Sequence, residues 1–274
     1  MFADLHIHSW YSDGTLSPEE IIEKAKSQNV SLISVCDHNL IDAYVELENL
    51  CAVNNIKNII GVEISSLTDD MEYHILAYGF DIQSKALNEL LQHSRSVNMD
   101  IGNSLIQRIS MDYPSVSLEE FSKYERNRRN GGWESIDYLR SKGLDDYGEF
   151  VRKYGSPTDK KFLHPAEVIK IIHDSGGYAV LTHPGGYYTE QNIEICEKIA
   201  TEFLNIGIDG FECYYPYHTF ETTEFFVKFC RDHNLMITAG SDEHGGFGDL
   251  SSRGYYIGAI KVEIEQLNLK KLID

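Results

Sequence analysis

The chain has 274 residues, of which 42% are hydrophobic and 24% charged, the balance of a globular enzyme rather than of a disordered or fibrous protein. Its 24 Lys and Arg against 43 Asp and Glu give a net charge of −19. Because duplex nucleic acid is normally bound through a basic surface, this acidic balance disfavours a duplex-binding protein.

Composition also bears on the compartment. The N-terminus has no basic and apolar leader pattern, and no apolar run reaches membrane-spanning length. The five cysteines are an odd number without Cys-x-x-Cys spacing, which fits a reducing compartment and disfavours a thiolate zinc knuckle. We therefore expect a cytoplasmic protein with no membrane association.

The first predicted strand carries two histidines on one face. Side chains alternate along a strand, so His6 and His8 leave the same side while Leu5 and Ile7 point into a core. Asp13 follows in the turn beyond the strand. An isolated His-x-His is more often structural than metal-binding, so the rest of the chain must supply matching ligands.

Helices and strands then alternate along the chain. Ser17-Pro18-Glu19-Glu20 predicts a helix N-terminus with a capping box. We count about seven strands, mostly separated by helices, the pattern of a parallel barrel or a doubly wound sheet. After the first strand, strands are predicted near 30–35, 59–64, 74–78, 178–183, 208–215 and 235–239, and helices near 42–53, 84–111, 134–142, 146–153, 191–205 and 221–234.

The middle of the chain differs from its flanks. Residues 89–163 hold twelve basic and twelve acidic residues, so the remaining chain carries the whole net charge of −19. Residues 113–163 show no strand pattern and contain a basic cluster at 125–130. A basic cluster is often only a solvated face, but the asymmetry suggests that this segment has a separate role.

Six histidines and three carboxylates recur at predicted strand ends. In a parallel barrel the C-terminal ends of the strands converge on one face, where active sites are built. Imidazole and carboxylate together suit zinc, manganese or iron better than calcium. The nine candidate metal ligands are His6, His8, Asp13, His38, Glu63, His74, His183, Asp242 and His244.

These residues stand in motifs that resemble the PHP (polymerase and histidinol phosphatase) superfamily, specifically its stand-alone metal-dependent phosphoesterases of the trinuclear nucleotide-phosphatase type. The resemblance implies an α/β fold, a distorted seven-stranded (β/α) barrel with a mostly helical insertion capping the active-site mouth. By it, residues 1–88 and 164–274 form the barrel and residues 89–163 the cap. The matching motifs are Asp4-x-His6-x-His8, Ser12-Asp13-Gly14, Asp37-His38-Asn39, Gly61-Val62-Glu63, His74-Ile75-Leu76, Thr182-His183-Pro184 and Gly240-Ser241-Asp242-x-His244.

The resemblance also implies how two to three divalent ions (Mn, Fe or Zn) would be held. Three divalent cations facing three carboxylates would leave a positive pocket that attracts a small anionic phosphorylated substrate. Glu63 would bridge two ions. The first ion would be ligated by His6, His8, Glu63 and Asp242, the second by Glu63, His74 and His183, and the third by Asp13, His38 and His244.

The expected reaction is hydrolysis of a phosphomonoester, of a nucleotide or a 3′,5′-bisphosphate, by a hydroxide that bridges two ions. Asp4 and Asp37 are expected to orient histidines from behind. His218 is the candidate proton donor or phosphate ligand. We interpret His93, His173 and His233 as structural, and His164 stays open.

The predicted cap departs from the family pattern. Relatives that hydrolyse nucleotides carry a Gly-Arg-Pro-His-like motif there, whereas this chain reads Gly131-Gly132-Trp133-Glu134-Ser135 and lacks the Arg-His pair. This departure puts nucleotide specificity in doubt without touching the metal ligands. The replacements we consider for substrate binding are Arg126, Arg128 and Arg129 for phosphate and Trp133 for stacking on a ring.

Three other functions stay open: a histidinol-phosphate phosphatase, a non-catalytic metal-bound PHP module, and a binding module for an anionic effector. Nine ligands argue against a module, because a structural site needs only about four. Physiological substrate, native metal and oligomeric state do not follow from the sequence.

Overall fold

The computed structural model describes residues 1–69, 71–188 and 191–273. The described strands form a sheet of three and a sheet of five. The strands are β1 (Phe2–Ile7), β2 (Val30–Val35), β3 (Lys57–Asn58), β4 (Gly61–Leu67), β5 (Glu72–Tyr78), β6 (Tyr178–Leu181), β7 (Gly210–Tyr214) and β8 (Met236–Ala239).

Helices separate most of these strands. The predicted capping box is confirmed, since Ser17 and Glu20 cap the first helix reciprocally. No helix in the described part of the chain is both long and apolar enough to cross a membrane. The helices are α1 (Pro18–Ser27), α2 (Tyr44–Asn54), α3 (Lys85–Ser110), α4 (Leu118–Phe121), α5 (Glu134–Ser141), α6 (Tyr147–Tyr154), α7 (Pro165–Asp174), α8 (Ile193–Asn205) and α9 (Phe220–Asp232).

The strand order departs from a simple β/α alternation at β3, β4 and β5, which follow one another without a helix between them. β1, β2 and β3 are parallel, and so are β6, β7 and β8. β4 and β5, however, form an antiparallel hairpin, and β5 is also antiparallel to β6. In the turn between β4 and β5, the Thr68 amide donates to the Met71 carbonyl at 2.9 Å, and the Met71 amide donates to Thr68 Oγ1 at 3.1 Å. This local turn replaces the helix that would otherwise follow β4.

The two sheets meet at the strand ends that carry the candidate ligands. On one side the His8 amide donates to the Glu243 carbonyl at 2.9 Å, and the Asp242 amide donates to the His6 carbonyl at 2.8 Å. On the other side the Asn39 amide donates to the Glu63 carbonyl at 2.8 Å. The described ladders therefore give two sheets joined by short bridges, and the closed seven-stranded barrel stays a prediction.

The segment between β5 and α7 is built from helices α3 to α6. The N-terminal half of α3 packs Leu87, Leu90 and Leu91 into the hydrophobic core of the larger sheet. Its C-terminal half packs Leu105 and Ile106 into a separate cluster with residues of α5 and α6. Because α3 crosses the boundary drawn at residue 89, the division into 1–88, 89–163 and 164–274 stays a prediction.

Candidate active site

All nine predicted metal ligands converge where the two sheets meet. Their nitrogen and oxygen atoms fall into overlapping groups whose members lie within 4.8 Å of one another. The groups are His6, His8 and Glu63; His38, Glu63 and His74; and His8, Asp13, His38 and His244. Asp242 and His183 complete the cluster, with Asp242 Oδ1 3.2 Å from His8 Nε2 and His183 Nε2 3.6 Å from Glu63 Oε1.

The first group has the spacing of donors around one ion. His6 Nε2 lies 3.0 Å from His8 Nε2 and 3.3 Å from Glu63 Oε2. Asp242 Oδ1 lies 3.5 Å from His6 Nε2. Donors held about 2.1 Å from a single metal lie about 3.0–3.4 Å from each other. These four side chains can therefore ligate one cation without large rearrangement.

Glu63 faces two groups at once. Its Oε1 atom lies 3.1 Å from His74 Nδ1 and 3.6 Å from His183 Nε2. Its Oε2 atom faces His6 and His8, and it also lies 3.3 Å from His38 Nδ1. The side chain is 1% exposed, so both oxygens are withdrawn from water. This placement allows the carboxylate to bridge two ions.

Asp13 centres the remaining group. Its Oδ2 atom lies 3.3 Å from His244 Nε2 and 3.7 Å from His38 Nε2. Its Oδ1 atom lies 3.5 Å from His8 Nδ1. His38 thus lies between Asp13 and Glu63, so its assignment to the third ion alone is less distinct than the family resemblance implied.

Buried atoms without hydrogen-bond partners show that the residues suit a metal. In the described part of the chain, His8 Nδ1, His38 Nδ1 and Glu63 Oε1 are buried and lack a hydrogen bond. A buried polar atom without a partner destabilises a fold, so such atoms are rare unless another group satisfies them. A cation beside these donors would satisfy all three, and imidazole with carboxylate is the donor set that Zn, Mn and Fe accept.

The buried imidazoles and carboxylates shift one another's pKa values strongly. Burial alone would lower the pKa of His6, but the carboxylates of Glu212, Glu63 and Asp242 outweigh it and hold that pKa well above its usual range. Burial would raise the pKa of Asp13, yet the imidazoles of His244 and His38 hold it well below its usual range. The imidazoles and carboxylates of the cluster therefore attract one another at short range.

The structure adds orienting residues that the sequence analysis missed. Glu212 is fully buried on β7, and its Oε1 atom accepts from His6 Nδ1 at 3.0 Å, which leaves His6 Nε2 facing the cluster. Glu72 Oε1 lies 3.5 Å from His74 Nε2, and the other ring nitrogen of His74, Nδ1, faces Glu63. A histidine ligand usually donates its second N–H to such a group. The signal for Glu212 was an acid in the middle of the apolar strand Gly210–Tyr214.

Asp4 and Asp37 lie behind the site but support backbone and serines rather than histidine rings. Asp4 accepts from the Ser241 amide at 2.9 Å and the Gly258 amide at 3.0 Å. Asp37 accepts from the Ser9 amide at 2.8 Å and from the hydroxyls of Ser9 and Ser12. They therefore shape the loops that carry Asp242 and Asp13, and the expectation that they orient histidines stays a prediction.

Two candidate ligands have left-handed backbone. His183 has φ 32° and Asp242 has φ 54°, conformations that residues other than glycine adopt at a cost. The Asp242 carbonyl accepts from His244 Nδ1 at 2.8 Å, which leaves His244 Nε2 free to face Asp13. Strain of this kind is typical of functional sites, where the chain must turn a particular side chain inward.

His218 does not have the geometry of a proton donor. Its Nδ1–H donates to the Cys213 carbonyl at 3.0 Å, and its Nε2 accepts from the Gly185 amide at 3.0 Å. Burial lowers its pKa to about 4, so the ring is neutral. With both nitrogens bound to main chain, His218 instead anchors the turn that follows His183. These contacts disfavour the predicted roles in proton donation and phosphate binding, which stay untested predictions.

The three predicted phosphate-binding arginines hold loops together. Arg126 is 7% exposed, donates to the Gly132 carbonyl, and donates to the Trp10 carbonyl at 3.0 Å. Arg128 lies over the Tyr11 ring, with 5.0 Å from guanidinium carbon to ring centre. These contacts give the arginines a structural role, and their assignment to substrate stays a prediction.

Arg129 completes this set of contacts. It lies 4.6 Å over the Trp10 ring and pairs with Glu20. The three arginines therefore clasp the 126–133 loop to the loop after β1, which carries Asp13. The backbone adds to this clasp, since the Gly132 amide donates to the Asp13 carbonyl at 2.7 Å.

Trp133, in contrast, lies beside the cluster. Its ring centre is 5.3 Å from that of His38. It lines two adjoining cavities of about 320 and 720 Å³ that share His38, Asn98, Gly102 and Ser135. The larger cavity reaches from His38 and His74 to Arg108, Arg152 and Lys160, and the smaller one reaches Arg95.

The remaining histidines serve the scaffold. His93 is exposed and contacts the Lys161 carbonyl at 3.0 Å, and His173 pairs with Asp209 at 2.7 Å. His233 follows the last residue of α9 and contacts the Phe229 carbonyl of that helix. His164, left open by the sequence, caps α7 by accepting from the Ala166 amide.

The family of the chain follows from a direct match. The family model of the PHP domain matches residues 4–212, which include seven of the nine candidate ligands. The chain belongs to the PHP domain family.

Curated relatives of this PHP chain cover nearly its whole length. A 5′-3′ exoribonuclease of Haemophilus influenzae is 27% identical, over 88% of this chain and 89% of that protein. A 3′,5′-nucleoside bisphosphate phosphatase of Chromobacterium violaceum is 25% identical, over 88% and 86%. A phosphoribosyl 1,2-cyclic phosphate 1,2-diphosphodiesterase of Eggerthella lenta is 22% identical, over 94% and 100%.

Solved structures agree on the fold. A protein of Bifidobacterium adolescentis assigned as a metal-dependent phosphoesterase superposes with a TM-score of 0.74, at 22% identity, over 96% of this chain and 97% of that one. An amidohydrolase of Chromobacterium violaceum gives 0.72, at 22% identity, over 92% and 96%. The family match and the curated relatives make the PHP chain a metal-dependent phosphoric ester hydrolase.

Proposed function

We propose that this PHP protein hydrolyses a phosphomonoester of a nucleotide or a nucleoside 3′,5′-bisphosphate, using two to three divalent ions (Mn, Fe or Zn). The observation that carries the proposal is the convergence of nine imidazole and carboxylate side chains, Glu63 among them, beside a cavity of about 720 Å³ that His38 and His74 line. A cavity of this size is in the range that encloses a small ligand such as a nucleotide.

Bound divalent ions would supply an activated water and would neutralise charge on the phosphoryl oxygens. The side chains of the protein then have separate tasks. Glu63, with an oxygen toward each of two donor groups, sets their spacing. Glu212 and Glu72 hold His6 and His74 in the ring orientation that ligation needs.

The rest of the substrate would lie under helices α3 to α6. Trp133 presents a ring beside His38, and stacking on a nucleobase is a contact that a ringless phosphate ester lacks. Arg108 is paired with Asp159 and Lys160 with Glu72, whereas Arg152 and Arg95 are exposed on the cavity walls. A second phosphate of a bisphosphate would bind to one of these exposed arginines, Arg152 in the larger cavity or Arg95 in the smaller one.

The barrel fold and the cellular location of the protein are part of the same proposal. We take β1, β2 and β4 to β8 as the seven strands of a distorted barrel, with β3 outside it. Bridges between Ile7 and Glu243 and between His38 and Glu63 support this, because they link the two sheets at both edges. A helical cap at 89–163 and a cytoplasmic location remain part of the proposal.

The test is a substrate panel on manganese-loaded protein: adenosine 3′,5′-bisphosphate, adenosine monophosphates, histidinol phosphate and p-nitrophenyl phosphate. We expect the highest kcat/KM for the nucleotides. Trp133→Ala should lower kcat/KM for the preferred nucleotide by about tenfold, the scale of one lost base stack, and for p-nitrophenyl phosphate much less.

Two variants control this comparison. Trp133→Phe keeps an aromatic ring and should retain most of the preference, and Phe220→Ala removes a ring that is 74% exposed on α9. A higher kcat/KM for histidinol phosphate than for every nucleotide would replace the proposed substrate. Equal losses on all substrates in Trp133→Ala would show that the ring only supports the site.

A further inference from the structure

A lysine from the segment between β5 and α7 reaches the candidate metal centre through one carboxylate. Lys160 Nζ donates to Glu72 Oε2 at 2.6 Å, and Glu72 Oε1 lies 3.5 Å from His74 Nε2. The other nitrogen of that ring, Nδ1, lies 3.1 Å from Glu63 Oε1. Three successive contacts thus join Lys160 to the carboxylate that faces two donor groups.

The backbone on both sides of Lys160 is attached to other elements. Before it, Asp159 forms an ion pair with Arg108 of α3. After it, the Leu163 carbonyl accepts from the amide of Leu67, the last residue of β4, at 2.9 Å. The lysine side chain therefore starts from a position that is fixed relative to both α3 and the β4–β5 hairpin.

The Lys160–Glu72 pair lines the same cavity of about 720 Å³ as His38 and His74. The lysine side chain is 40% exposed and that of Glu72 is 24% exposed. Ion pairs as open as this one add little to the stability of a fold, because water screens them. The pair can, however, restrict where the Glu72 carboxylate lies, and through it the orientation of the His74 ring.

The comparison with Glu212 shows what Lys160 adds. Glu212 is 1% exposed, and while one of its oxygens accepts from His6, the other is fixed by a main-chain amide. Glu72 is the first residue of β5 and lies beside the cavity, and its second oxygen is fixed by the Lys160 ammonium instead. A side chain from the helical segment thus does for the partner of His74 what main chain does for the partner of His6.

We infer that Lys160 is a positioning residue for the metal centre: it fixes Glu72, which orients His74 toward its ion. The inference rests on the metal site of the proposed function. It makes the helical segment part of that centre, because the lysine comes from outside the strands and strand ends that supply the nine candidate ligands. Lysine suits this task, since its ammonium has three N–H donors and can hold a carboxylate oxygen with one of them.

The test challenges manganese-loaded protein with a competing chelator and compares Lys160→Met with wild type. This change keeps the length of the side chain and removes its charge. We expect one ion per chain to be lost at about tenfold lower chelator concentration, the low end of the effect of losing an outer partner. Lys160→Arg should restore the affinity. Lys153→Met removes a lysine that pairs with Asp112 and does not line the cavity, and it should match wild type.

A double variant separates positioning from direct contact with the substrate. Glu72→Gln should weaken the same ion as Lys160→Met does. Combining the two changes should weaken it no further than Glu72→Gln alone, because the lysine acts through the carboxylate. Anomalous scattering from crystals of Lys160→Met should show reduced manganese occupancy beside His74 and full occupancy beside His6 and His8.

The outcomes also separate this inference from the proposed function. Unchanged or tighter ion binding in Lys160→Met, or losses that multiply in the double variant, would overturn the positioning role. A raised KM with unchanged ion binding would overturn it too, and would assign Lys160 to the substrate. If wild type itself holds no ion beside His74, the proposed metal site fails, and the inference fails with it.

Discussion

Glu212 Oε1 lies 3.0 Å from His6 Nδ1, and this contact determines which nitrogen of His6 faces the candidate metal centre. The other oxygen of Glu212 accepts from the His183 amide at 2.8 Å. One buried carboxylate therefore positions a ligand from β1 and the turn that carries another ligand after β6. Both belong to the part of the site that Glu63 organises.

Glu212→Gln should weaken metal binding without removing a ligand. The amide offers one acceptor oxygen where the carboxylate offers two, and it lacks the charge that strengthens the bond to His6. Loss of such an outer partner costs about 10–100-fold in metal affinity. Titration against a competing chelator measures this, with exposed Glu197→Gln on α8 as the matched control. Unchanged affinity would show that His6 does not depend on Glu212.

Glu63→Gln should abolish turnover and reduce the number of bound ions. Its two oxygens face separate donor groups, so the change affects both at once. The control is His93→Ala, an exposed ring whose contact is to the Lys161 carbonyl, which should keep nearly full activity. Phosphatase assay together with metal analysis checks both variants. Comparable activity in the two would refute this division between site and scaffold.

Arg126→Ala should loosen the structure rather than change substrate preference. The guanidinium is 7% exposed and donates to the carbonyls of Gly132 and Trp10. Losing hydrogen bonds from a charged group costs about 1–3 kcal/mol of unfolding free energy, measurable by urea denaturation. Arg129→Ala, whose side chain is 51% exposed, should cost less than about 1 kcal/mol.

The contrary result for Arg126→Ala is a raised KM for nucleotides with unchanged stability. That outcome would restore the phosphate-binding role that its basic cluster suggested. If the arginine contacts only hold the two loops together, Arg126→Ala should lose activity equally on every substrate and should unfold at a lower urea concentration.

The local pattern selected residues that lie together in the structure, because most of them lie on a strand or just after one, where periodicity is informative. Their binding of metal stays a prediction. His6 and His8 on one strand face, and His38, His183 and Asp242 after later strands, come together in space as the α/β rhythm requires. The spacing could not show how far apart their donor atoms lie. Those distances depend on how the two sheets meet.

Long-range partners were harder to predict. Arg126, Arg128 and Arg129 formed a plausible phosphate site in sequence, but they contact Trp10, Tyr11 and Glu20, more than a hundred residues away. Glu212 escaped attention for the opposite reason: it stands alone in an apolar strand, and its partner His6 lies at the other end of the chain. The antiparallel β4–β5 hairpin depends on a short turn that hydrophobic periodicity does not distinguish from a loop.

His218→Asn should leave the alkaline limb of the pH–rate profile in place. A proton donor must be protonated, so a rate that depends on it falls as pH rises through its pKa. Burial lowers the pKa of His218 to about 4, so the ring is neutral near neutral pH. Its one N–H donates to the Cys213 carbonyl and its other nitrogen accepts from the Gly185 amide. Loss of the alkaline limb in kcat/KM of the variant would contradict this and reinstate His218 as the donor.

Metal content tests the central claim most directly. Protein reconstituted with manganese and freed of excess ions should contain two to three ions per chain by elemental analysis. Anomalous scattering from crystals of that protein should place them among His6, His8, Asp13, His38, Glu63, His74, His183, Asp242 and His244. One ion or none, or ions placed away from Glu63, would contradict the account.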